Sequence, residues 1–314
     1  MTVFAYFGPS GTFTEMALDK MLASWLGGDR LPVDGDVHKV AANSPAATIA
    51  MVRSGAADYG CVPVESSVEG SVPATADALA PPGDGTDGRV QVFGEVTLDI
   101  AFTIAARAPI PAGEVRTVAA YPVAAAQVRE SVEKLYPGAS FQTASSNAAA
   151  AQDVVAGRAD VAVTTALAVQ LAGLVVVADG VADVEEAATR FLLVGPPAPP
   201  LPRTGADRTS VILDLPNVPG SLMSAMNEFA SRGIDLTRIE SRPRRGMPGS
   251  YRFYLDAVGH LDDDAVGEAL RALHRRCERV VFLGSWPAAR SSGAVPPDTS
   301  ASRSWFEALK RGEG

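Results

Sequence analysis

One sequence phrase occurs twice in this chain, and it limits the folds that the chain can adopt. Residues 43–58 read N-S-P-A-A-T-I-A-M-V-R-S-G-A-A-D, and residues 145–160 read S-S-N-A-A-A-A-Q-D-V-V-A-G-R-A-D. Each copy has a Ser suited to cap a helix, an apolar-faced helix and a Gly suited to end it. The corresponding residues keep one constant offset: Ser44 and Ser146, Gly55 and Gly157, and Asp58 and Asp160.

An apolar strand is predicted after each copy, from Tyr59 to Val64 and from Val161 to Thr165. A helix–turn–strand unit that occurs twice at this distance predicts two similar lobes with a cleft between them. Chance resemblance between two Ala-rich helices is the alternative. A cleft between two lobes is suited to a small ligand.

Length, charge and cysteine content exclude several classes of protein. A chain of 314 residues is long enough for two or three domains. Its net charge of −9 and isoelectric point near 4.9 argue against a nucleic-acid partner. No apolar run reaches the roughly 18 residues that span a bilayer. The two cysteines, Cys61 and Cys277, are too few for a disulfide framework. We therefore expect a soluble, cytoplasmic protein.

Composition and periodicity divide the chain into domains. Strands alternate with helices over the first 195 residues, as in α/β lobes. A Pro-rich linker follows, and then a β-α-β-β-α-β pattern typical of a ferredoxin-like sandwich. The expected divisions are an α/β domain at 1–195 (lobes at about 1–100 plus 180–195, and 101–179), a linker at 196–208, a small domain at 209–286 and a tail at 287–314.

Polar residues at predicted helix starts and strand ends are candidates for the cleft. Lys and Arg are scarce in the two lobes, so an anion in the cleft would depend on helix N-termini and hydroxyl groups. Two clusters supply hydroxyl groups: Ser10, Thr12 and Thr14, and Ser66, Ser67 and Ser71.

Three further positions carry chemistry of their own, each with a plainer alternative. Thr189-Arg190-Phe191 precedes a predicted strand and could direct an arginine into the cleft, but it is also ordinary strand-entry sequence. Glu65 follows an apolar strand and could handle protons, or could simply favour a helix start. Gln127 lies one turn into a predicted helix, where a solvated surface amide is the alternative.

Metal and nucleotide chemistry find little support. Only His274 and Cys277 share a helix face among the possible soft ligands, and two ligands do not make a zinc site. The chain has no Walker loop, and Gly8-Pro9-Ser10-Gly11 has the wrong order for a dinucleotide fingerprint. The residues by themselves indicate a two-lobed anion-binding protein with a small-ligand sensor.

From about Val3 to Gly284, the chain resembles the prephenate dehydratase family. Three motifs are similar to those of its catalytic domain: Y-F-G-P-S-G-T-F-T-E at 6–15, C-V-P-V-E-S-S-V-E-G at 61–70 and T-R-F at 189–191. Two more are similar to the effector-binding stretches of its C-terminal ACT domain: N-V-P-G-S-L-M at 217–223 and I-E-S-R-P at 239–243. The chain is identified as a member of this family by five motifs in the right order.

The resemblance implies a two-lobed α/β catalytic domain like that of periplasmic binding proteins, followed by an ACT domain. It also implies that prephenate loses CO2 and water to give phenylpyruvate, in L-phenylalanine biosynthesis, without metal or organic cofactor. Thr189 would assist the departing hydroxyl group in a closed, dry cleft. Arg190 would bind a carboxylate, and Phe191 would pack beneath the site. Glu65 and Gln127 match positions that line the family's cleft, and Thr12, Ser66 and Ser67 are candidate substrate contacts.

The chain departs from the family at two places. Ser66 stands where the family usually has Asn, and its side chain is shorter and has no amide group. The effector loop usually reads Gly-Ala-Leu-Val, whereas this chain has Gly220-Ser221-Leu222-Met223. The residues implied to bind L-phenylalanine are Asn217, Pro219, Gly220, Ser221, Leu222, Met223, Glu240, Ser241, Arg242 and Pro243.

ACT domains of the family pair and bind amino acids at the seam between copies. The resemblance therefore implies a homodimer or homotetramer and feedback regulation by L-phenylalanine, without a nucleic-acid or membrane partner. Two alternatives stay open: an arogenate dehydratase, and a non-catalytic sensor of amino acids or anions.

Overall fold

The structure, a computed structural model, describes residues 1–25, 36–83, 88–184, 186–244, 246–290 and 293–313. Part of the turn-rich loop expected at 81–88 and one position of the turn expected at 244–249 lie outside the described residues. Within the described part of the chain, no helix is long and apolar enough to cross a membrane.

The chain forms two compact units. One comprises Met1–Val72 with Val96–Leu192, and the other comprises Pro73–Glu95 with Leu193–Gly314. The segment at 73–95 therefore groups with the C-terminal half of the chain, although it lies within the sequence of the first lobe. The domain boundaries expected from the sequence stay a prediction.

A six-stranded sheet forms the first lobe. Its strand order is β2-β1-β3-β11-β5, and β4 pairs with β3. Helices α1 and α2 pack against β1 and β3, and the core includes the fully buried Phe4, Leu18 and Ile49. The elements are β1 (Thr2–Phe7), α1 (Phe13–Trp25), β2 (Val37–Ala42), α2 (Pro45–Ser54), β3 (Tyr59–Ser66), β4 (Gly70–Ser71), β5 (Gln91–Asp99) and β11 (Ala188–Gly195). Helix α3 (Pro73–Leu79) follows β4 in the sequence and belongs to the second unit.

A five-stranded sheet with the order β10-β6-β9-β7-β8 forms the second lobe. Its core is built from aliphatic side chains such as Ile104, Val118 and Val163, together with Phe102. The elements are β6 (Thr103–Ala106), β7 (Thr117–Ala120), α4 (Pro122–Gln127), α5 (Arg129–Leu135), β8 (Ser140–Thr143), α6 (Asn147–Val155), β9 (Val161–Thr164), α7 (Ala166–Ala172) and β10 (Val175–Ala178).

The duplicated phrase forms the same local structure in both lobes. The hydroxyl groups of Ser44 and Ser146 each accept a hydrogen bond from the backbone three residues on, at 3.0 Å. Gly55 and Gly157 have left-handed φ values of 74° and 72°. The neighbouring strands are parallel in both lobes, with β2 and β3 flanking β1 and with β8 and β9 flanking β7. The helix caps and following strands predicted from the repeat are confirmed.

The start of α1 differs from the expected capping box. The pattern Thr12…Glu15 predicts that Glu15 accepts the Thr12 backbone N–H. The Glu15 carboxylate instead accepts the Gly11 backbone N–H at 2.7 Å, and the Thr12 hydroxyl donates to the Phe7 carbonyl at 3.3 Å. The carboxylate still fixes the loop before the helix, one residue earlier than predicted.

An antiparallel sheet with the order β13-β14-β12-β15 lies in the second unit. Two helices pack on it around a core that includes Leu213, Phe229 and Leu273, which confirms the predicted ferredoxin-like β-α-β-β-α-β pattern. The elements are β12 (Asp207–Asp214), α8 (Ser221–Ala230), β13 (Leu236–Pro243), β14 (Tyr251–Val258), α9 (Asp264–Arg276), β15 (Arg279–Pro287) and α10 (Ser300–Lys310).

Candidate active site

A cavity of about 710 Å³ lies in the first unit. This volume is in the range of sites for small molecules. Strand ends and helix starts from both lobes contribute to its wall. Its polar lining includes Thr12, Asn43, Ser66, Glu69, Gln127, Ser146, Asn147 and Thr189, and its aromatic lining consists of Phe7, Phe13, Phe102, Tyr121 and Phe191.

The cavity wall is almost without charge. None of its described lining residues is Lys, Arg or His, and the one carboxylate among them belongs to Glu69. Two helices of nine residues or more, α1 and α6, begin at this wall, and α2 begins two residues after the lining residue Asn43. Their first turns present backbone N–H groups and the positive ends of their dipoles. The arrangement is suited to an anion with an apolar body.

Strand alternation separates the three residues of the Thr189-Arg190-Phe191 motif. Successive side chains of a strand point to opposite faces, and Thr189 and Phe191 line the cavity whereas Arg190 does not. The Arg190 side chain is 11% exposed, and its Nη2 lies 3.5 Å from Oε2 of Glu65. Glu65 also lies outside the cavity lining. The structure thus places Arg190 and Glu65 together, and neither side chain is among the residues that line the cavity.

Ser67 fixes the start of the strand that carries Thr189. Its hydroxyl accepts the Ala188 backbone N–H at 2.9 Å, and its own N–H donates to the Ala188 carbonyl at 2.8 Å. Ser66 lines the cavity, and its hydroxyl accepts the backbone N–H groups of Val68 and Glu69 at 3.3 and 3.4 Å. The Ser66 side chain therefore shapes the turn, and Ser67 acts on Thr189 through its neighbour.

Gln127 and Thr12, two of the residues expected at the cleft, are also among the lining residues. Gln127 is the last residue of α4 and is 8% exposed, and its carbonyl accepts the Asp183 N–H at 2.7 Å. It is therefore buried at the cavity, not a solvated surface amide. Thr12 immediately precedes α1.

The Glu15 carboxylate holds the loop that enters the cavity between β1 and α1. It accepts hydrogen bonds from Ser10 Oγ at 2.8 Å and from Lys39 Nζ at 2.8 Å, besides that from Gly11. Burial is the largest single influence and raises the pKa of Glu15. The hydrogen bonds from Lys39, Gly11 and Ser10 together outweigh burial, so the pKa of Glu15 is lowered overall.

Sequence reasoning missed the residues at the start of α6. Ser146 and Asn147 line the cavity, together with Asn43 from the start of the first repeat. The Asn147 Oδ1 atom is buried without a hydrogen-bond partner among the described residues. The two Ser caps of the repeat could have indicated these residues, because helix starts at corresponding places in two lobes are expected to face the cleft between them.

The residues implied to bind an effector lie in the second unit, on two segments. Residues 217–223 connect β12 to α8 and begin the helix, and Gly220 has a left-handed φ of 81° there. Residues 240–243 lie on β13, an edge strand. The Glu240 carboxylate pairs with Arg238, and the Arg242 guanidinium pairs with Asp77. The Met223 side chain is 72% exposed.

Fold and site together define a two-lobed α/β protein with a cleft for a small anion and a ferredoxin-like domain after it. The prephenate dehydratase family profile matches residues 4–199, and the ACT domain profile matches residues 209–275. The chain belongs to the prephenate dehydratase family, whose members are lyases, and carries a C-terminal ACT domain.

The chain is similar to several prephenate dehydratases over nearly its whole length. Prephenate dehydratase of Mycolicibacterium vanbaalenii is 55% identical over 315 residues, which is 99% of this chain and 99% of the relative. The enzyme of Mycobacterium tuberculosis is 50% identical over 315 residues, covering 100% of this chain and 95% of the relative. The crystal structure of prephenate dehydratase from Arthrobacter aurescens in complex with L-Phe superposes with a TM-score of 0.85 at 34% identity, covering 99% of this chain and 100% of that one.

Proposed function

We propose that prephenate is converted to phenylpyruvate in the cavity between the two lobes, with Thr189 as the group that assists the departing hydroxyl. The observation that carries this is that Thr189, Phe191 and Gln127 all line one cavity, whose described lining includes no cationic residue. In the reaction the bond from the ring to its carboxylate breaks, and its electron pair enters the ring. As this electron pair moves through the ring, the bond from the ring to the hydroxyl oxygen breaks, and the departing hydroxide takes up one proton, supplied overall by the solvent, to form water; CO2 and phenylpyruvate remain.

The lack of a cationic side chain among the described lining residues suits this reaction. Prephenate carries two carboxylates, and one of them must lose its charge as CO2. A cation bound to that carboxylate would stabilise the ground state and oppose its departure. Helix N-termini and neutral donors hold an anion less tightly, and the aromatic wall favours the loss of charge. We assign the start of α6, with Ser146 and Asn147, to the binding of a substrate carboxylate.

Thr189 is a weak acid, so its position decides its effect. The hydrogen bonds between Ser67 and Ala188 fix the backbone beside it. A hydroxyl group held in place in a site without bulk water stabilises a departing hydroxide far better than it could in water. Arg190 and Glu65 lie 3.5 Å from each other, outside the residues that line the cavity, and we assign them to the positioning of Thr189 and to the local electrostatic field.

The ACT domain is proposed to bind L-phenylalanine and to inhibit the enzyme. L-Phe is bound in the Arthrobacter structure, and the family motifs assign the effector contacts here to residues 217–223 and 240–243. Gly220 allows the backbone to approach a ligand closely, because no described atom other than those of its chain neighbours lies within 4 Å of the position that a Cβ would take.

The chain is further proposed to form a homodimer or homotetramer in the cytoplasm. Exposed apolar side chains surround the effector segments and the edge strand, as expected for a surface that pairs with a second copy. They are Val218, Met223, Ile239, Met247 and Tyr251. Both cysteines are free thiols, which suits a reducing compartment.

Turnover of purified protein on two substrates tests the proposal. Phenylpyruvate formation from prephenate, followed by absorbance in alkali, is compared with phenylalanine formation from arogenate. We expect catalytic efficiency on prephenate to exceed that on arogenate, and L-phenylalanine to reduce it. A higher efficiency on arogenate would favour the sister activity, and binding of prephenate without turnover would favour a sensor.

A further inference from the structure

One ion pair in the second unit joins the proposed effector segment to the chain that leaves the active-site turn. Arg242 Nε and Nη2 donate to Asp77 Oδ1 and Oδ2, both at 3.0 Å, between residues 165 positions apart. Two parallel hydrogen bonds of this kind fix the orientation of the guanidinium as well as its position. A displacement of Arg242 is therefore transmitted to Asp77 as a directed movement.

Each partner adjoins a functional segment of the chain. Arg242 lies on β13, within the segment 240–243 that is proposed to contact L-phenylalanine. Asp77 lies on α3, which begins directly after β4. Strand β4 pairs with the end of β3 at Glu65 and Ser66, and Ser66 lines the cavity. The chain thus leads from the cavity wall to Asp77 through about ten residues without a long loop.

A second ion pair in the same unit has a different character. Arg208 Nη1 lies 2.6 and 2.7 Å from the two carboxylate oxygens of Glu95, and both side chains are buried, at 8% and 1% exposure. The Ala289 backbone N–H also donates to Glu95 at 2.9 Å. Close by, Gly284 approaches Val92 so closely that a Cβ would lie 2.4 Å from the Val92 carbonyl oxygen. Separating this pair would leave two buried charges without compensation. The pair is therefore suited to a permanent contact between β5, which carries Glu95, and β12, which carries Arg208.

The exposure of the Asp77–Arg242 pair suits a contact that opens and closes. The two side chains are 28% and 26% exposed, so water is at hand to solvate both groups when they separate. Ion pairs of this kind contribute little to stability and cost little to break. An effector that contacts the segment 240–243 can therefore change the pair without unfolding the domain.

We infer that the Asp77–Arg242 ion pair is the joint through which an effector bound at residues 240–243 acts on the cleft, with Glu95–Arg208 as the fixed anchor. The inference rests on the proposed regulation by L-phenylalanine. The effector binds the two arrangements of this joint with different affinity, which is the condition for shifting the population of the enzyme between them. Helix α3 and the turn at 65–71 follow the joint, and Ser66 changes its place on the cavity wall.

The test is the full-length Asp77→Asn variant, which keeps the shape of the side chain and removes its charge. Asp153→Asn is the matched control. Asp153 lies on α6 of the second lobe, and its carboxylate pairs with Arg158. Binding of L-phenylalanine is measured by calorimetry, and inhibition by phenylpyruvate formation. Typical allosteric coupling changes affinity by about 5–150-fold.

For Asp77→Asn we expect uninhibited kcat and KM within about twofold of wild type, and a Kd for L-phenylalanine within about threefold. The inhibition at saturating L-phenylalanine should fall from the wild-type factor to nearly none, since the coupling of about 5–150-fold is what the joint carries. Asp77→Glu should restore most of the inhibition, and Asp153→Asn should be inhibited like wild type.

Two results for the variant overturn the inference. Unchanged inhibition of Asp77→Asn would show that the signal takes another route, and loss of L-phenylalanine binding would make the pair a part of the effector site. A wild-type enzyme that converts prephenate but ignores L-phenylalanine overturns the joint and the proposed regulation together. A wild-type chain without turnover on prephenate contradicts the catalytic proposal instead.

Discussion

The two copies of the repeated phrase, residues 43–58 and 145–160, form the same local structure but contribute different residues to the cavity. Both have a Ser cap, a left-handed Gly and an Asp whose carboxylate accepts the backbone at the start of a neighbouring strand. The second copy, however, places Ser146 and Asn147 on the cavity wall. The first copy has Pro45 at the corresponding helix start, which removes one N–H donor.

The difference indicates what each lobe contributes to the cavity. The features that the copies share hold a helix and a strand in place. The Ser cap and the Gly depend on residues nearby in the sequence, and the Asp carboxylate depends on the backbone at the start of one neighbouring strand. The features that differ face the cavity. In our account the second lobe supplies the helix start that holds an anion, and the sheet of the first lobe supplies the Thr189 hydroxyl.

Thr189→Ala should have the largest effect of any single substitution, because it removes the proposed donor to the departing hydroxyl group. We expect kcat/KM for prephenate to fall by about a hundredfold or more, the scale of a lost oxyanion donor. Thr103→Ala is the control in the second lobe, since Thr103 begins β6 and donates to Asp179 at 2.8 Å. It should lower stability and leave turnover per folded molecule nearly unchanged. Equal losses of activity in both variants would remove the distinction between the lobes.

Asp160→Asn should destabilise the protein more than Asp58→Asn. Asp160 accepts hydrogen bonds from the backbone of Arg116 and Thr117 at 2.8 Å and from the Thr117 hydroxyl at 2.9 Å. We expect a loss of about 2 kcal/mol, since hydrogen bonds to a charged group are the stronger kind. Denaturant unfolding of both variants at neutral pH measures the difference, and a larger loss for Asp58→Asn would contradict it.

The contribution of Asp160 should also depend on pH. The backbone hydrogen bond from Arg116 is the largest cause that lowers the pKa of Asp160, and the bonds from Thr117 add to it against a smaller effect of burial. A lowered pKa in the folded state gives stability that is complete above the ordinary pKa and is lost as the pH falls through the lowered value. The difference in unfolding free energy between wild type and Asp160→Asn should therefore shrink in acid.

Gly55→Ala and Gly157→Ala should cost similar amounts, about 1–2 kcal/mol each, because both glycines adopt left-handed φ values. A Cβ at Gly55 would meet no atom within 4 Å, and one at Gly157 would lie 3.2 Å from Nη1 of Arg107. The Arg107 side chain is flexible and can move aside. Thermal unfolding of the pair checks this, and a much larger cost at Gly157 would mean that Arg107 is fixed there.

Ser44→Ala and Ser146→Ala should have the smallest effects on stability. Loss of a helix cap costs about 1 kcal/mol, and the two caps have the same geometry. Only Ser146 lies on the cavity wall, so Ser146→Ala alone should raise KM for prephenate. Steady-state kinetics on the two variants separates a cap from a cap that also faces the substrate, and equal KM values would contradict the assignment of α6.

Features that depend on sequence neighbours could be predicted, and features that depend on distant contacts could not. The Ser caps and strands of the repeat follow from residues within about four positions of one another. The role of Ser67 depends on Ala188, 121 positions away, and the pairing of Arg242 depends on Asp77. The opposite orientation of Thr189 and Arg190 could have been predicted from the sequence, because successive side chains of a strand point to opposite faces. The shift of the capping bond from Thr12 to Gly11 reflects the loop before α1, which the Glu15 pattern does not describe.

A crystal structure of the Thr189→Ala variant with prephenate tests the central claim most directly, since the variant should bind the substrate without converting it. We predict intact prephenate in the cavity, with its hydroxyl group toward position 189 and one carboxylate at the first turn of α6. Prephenate bound outside this cavity, or phenylpyruvate formed by the variant at the wild-type rate, would contradict the account.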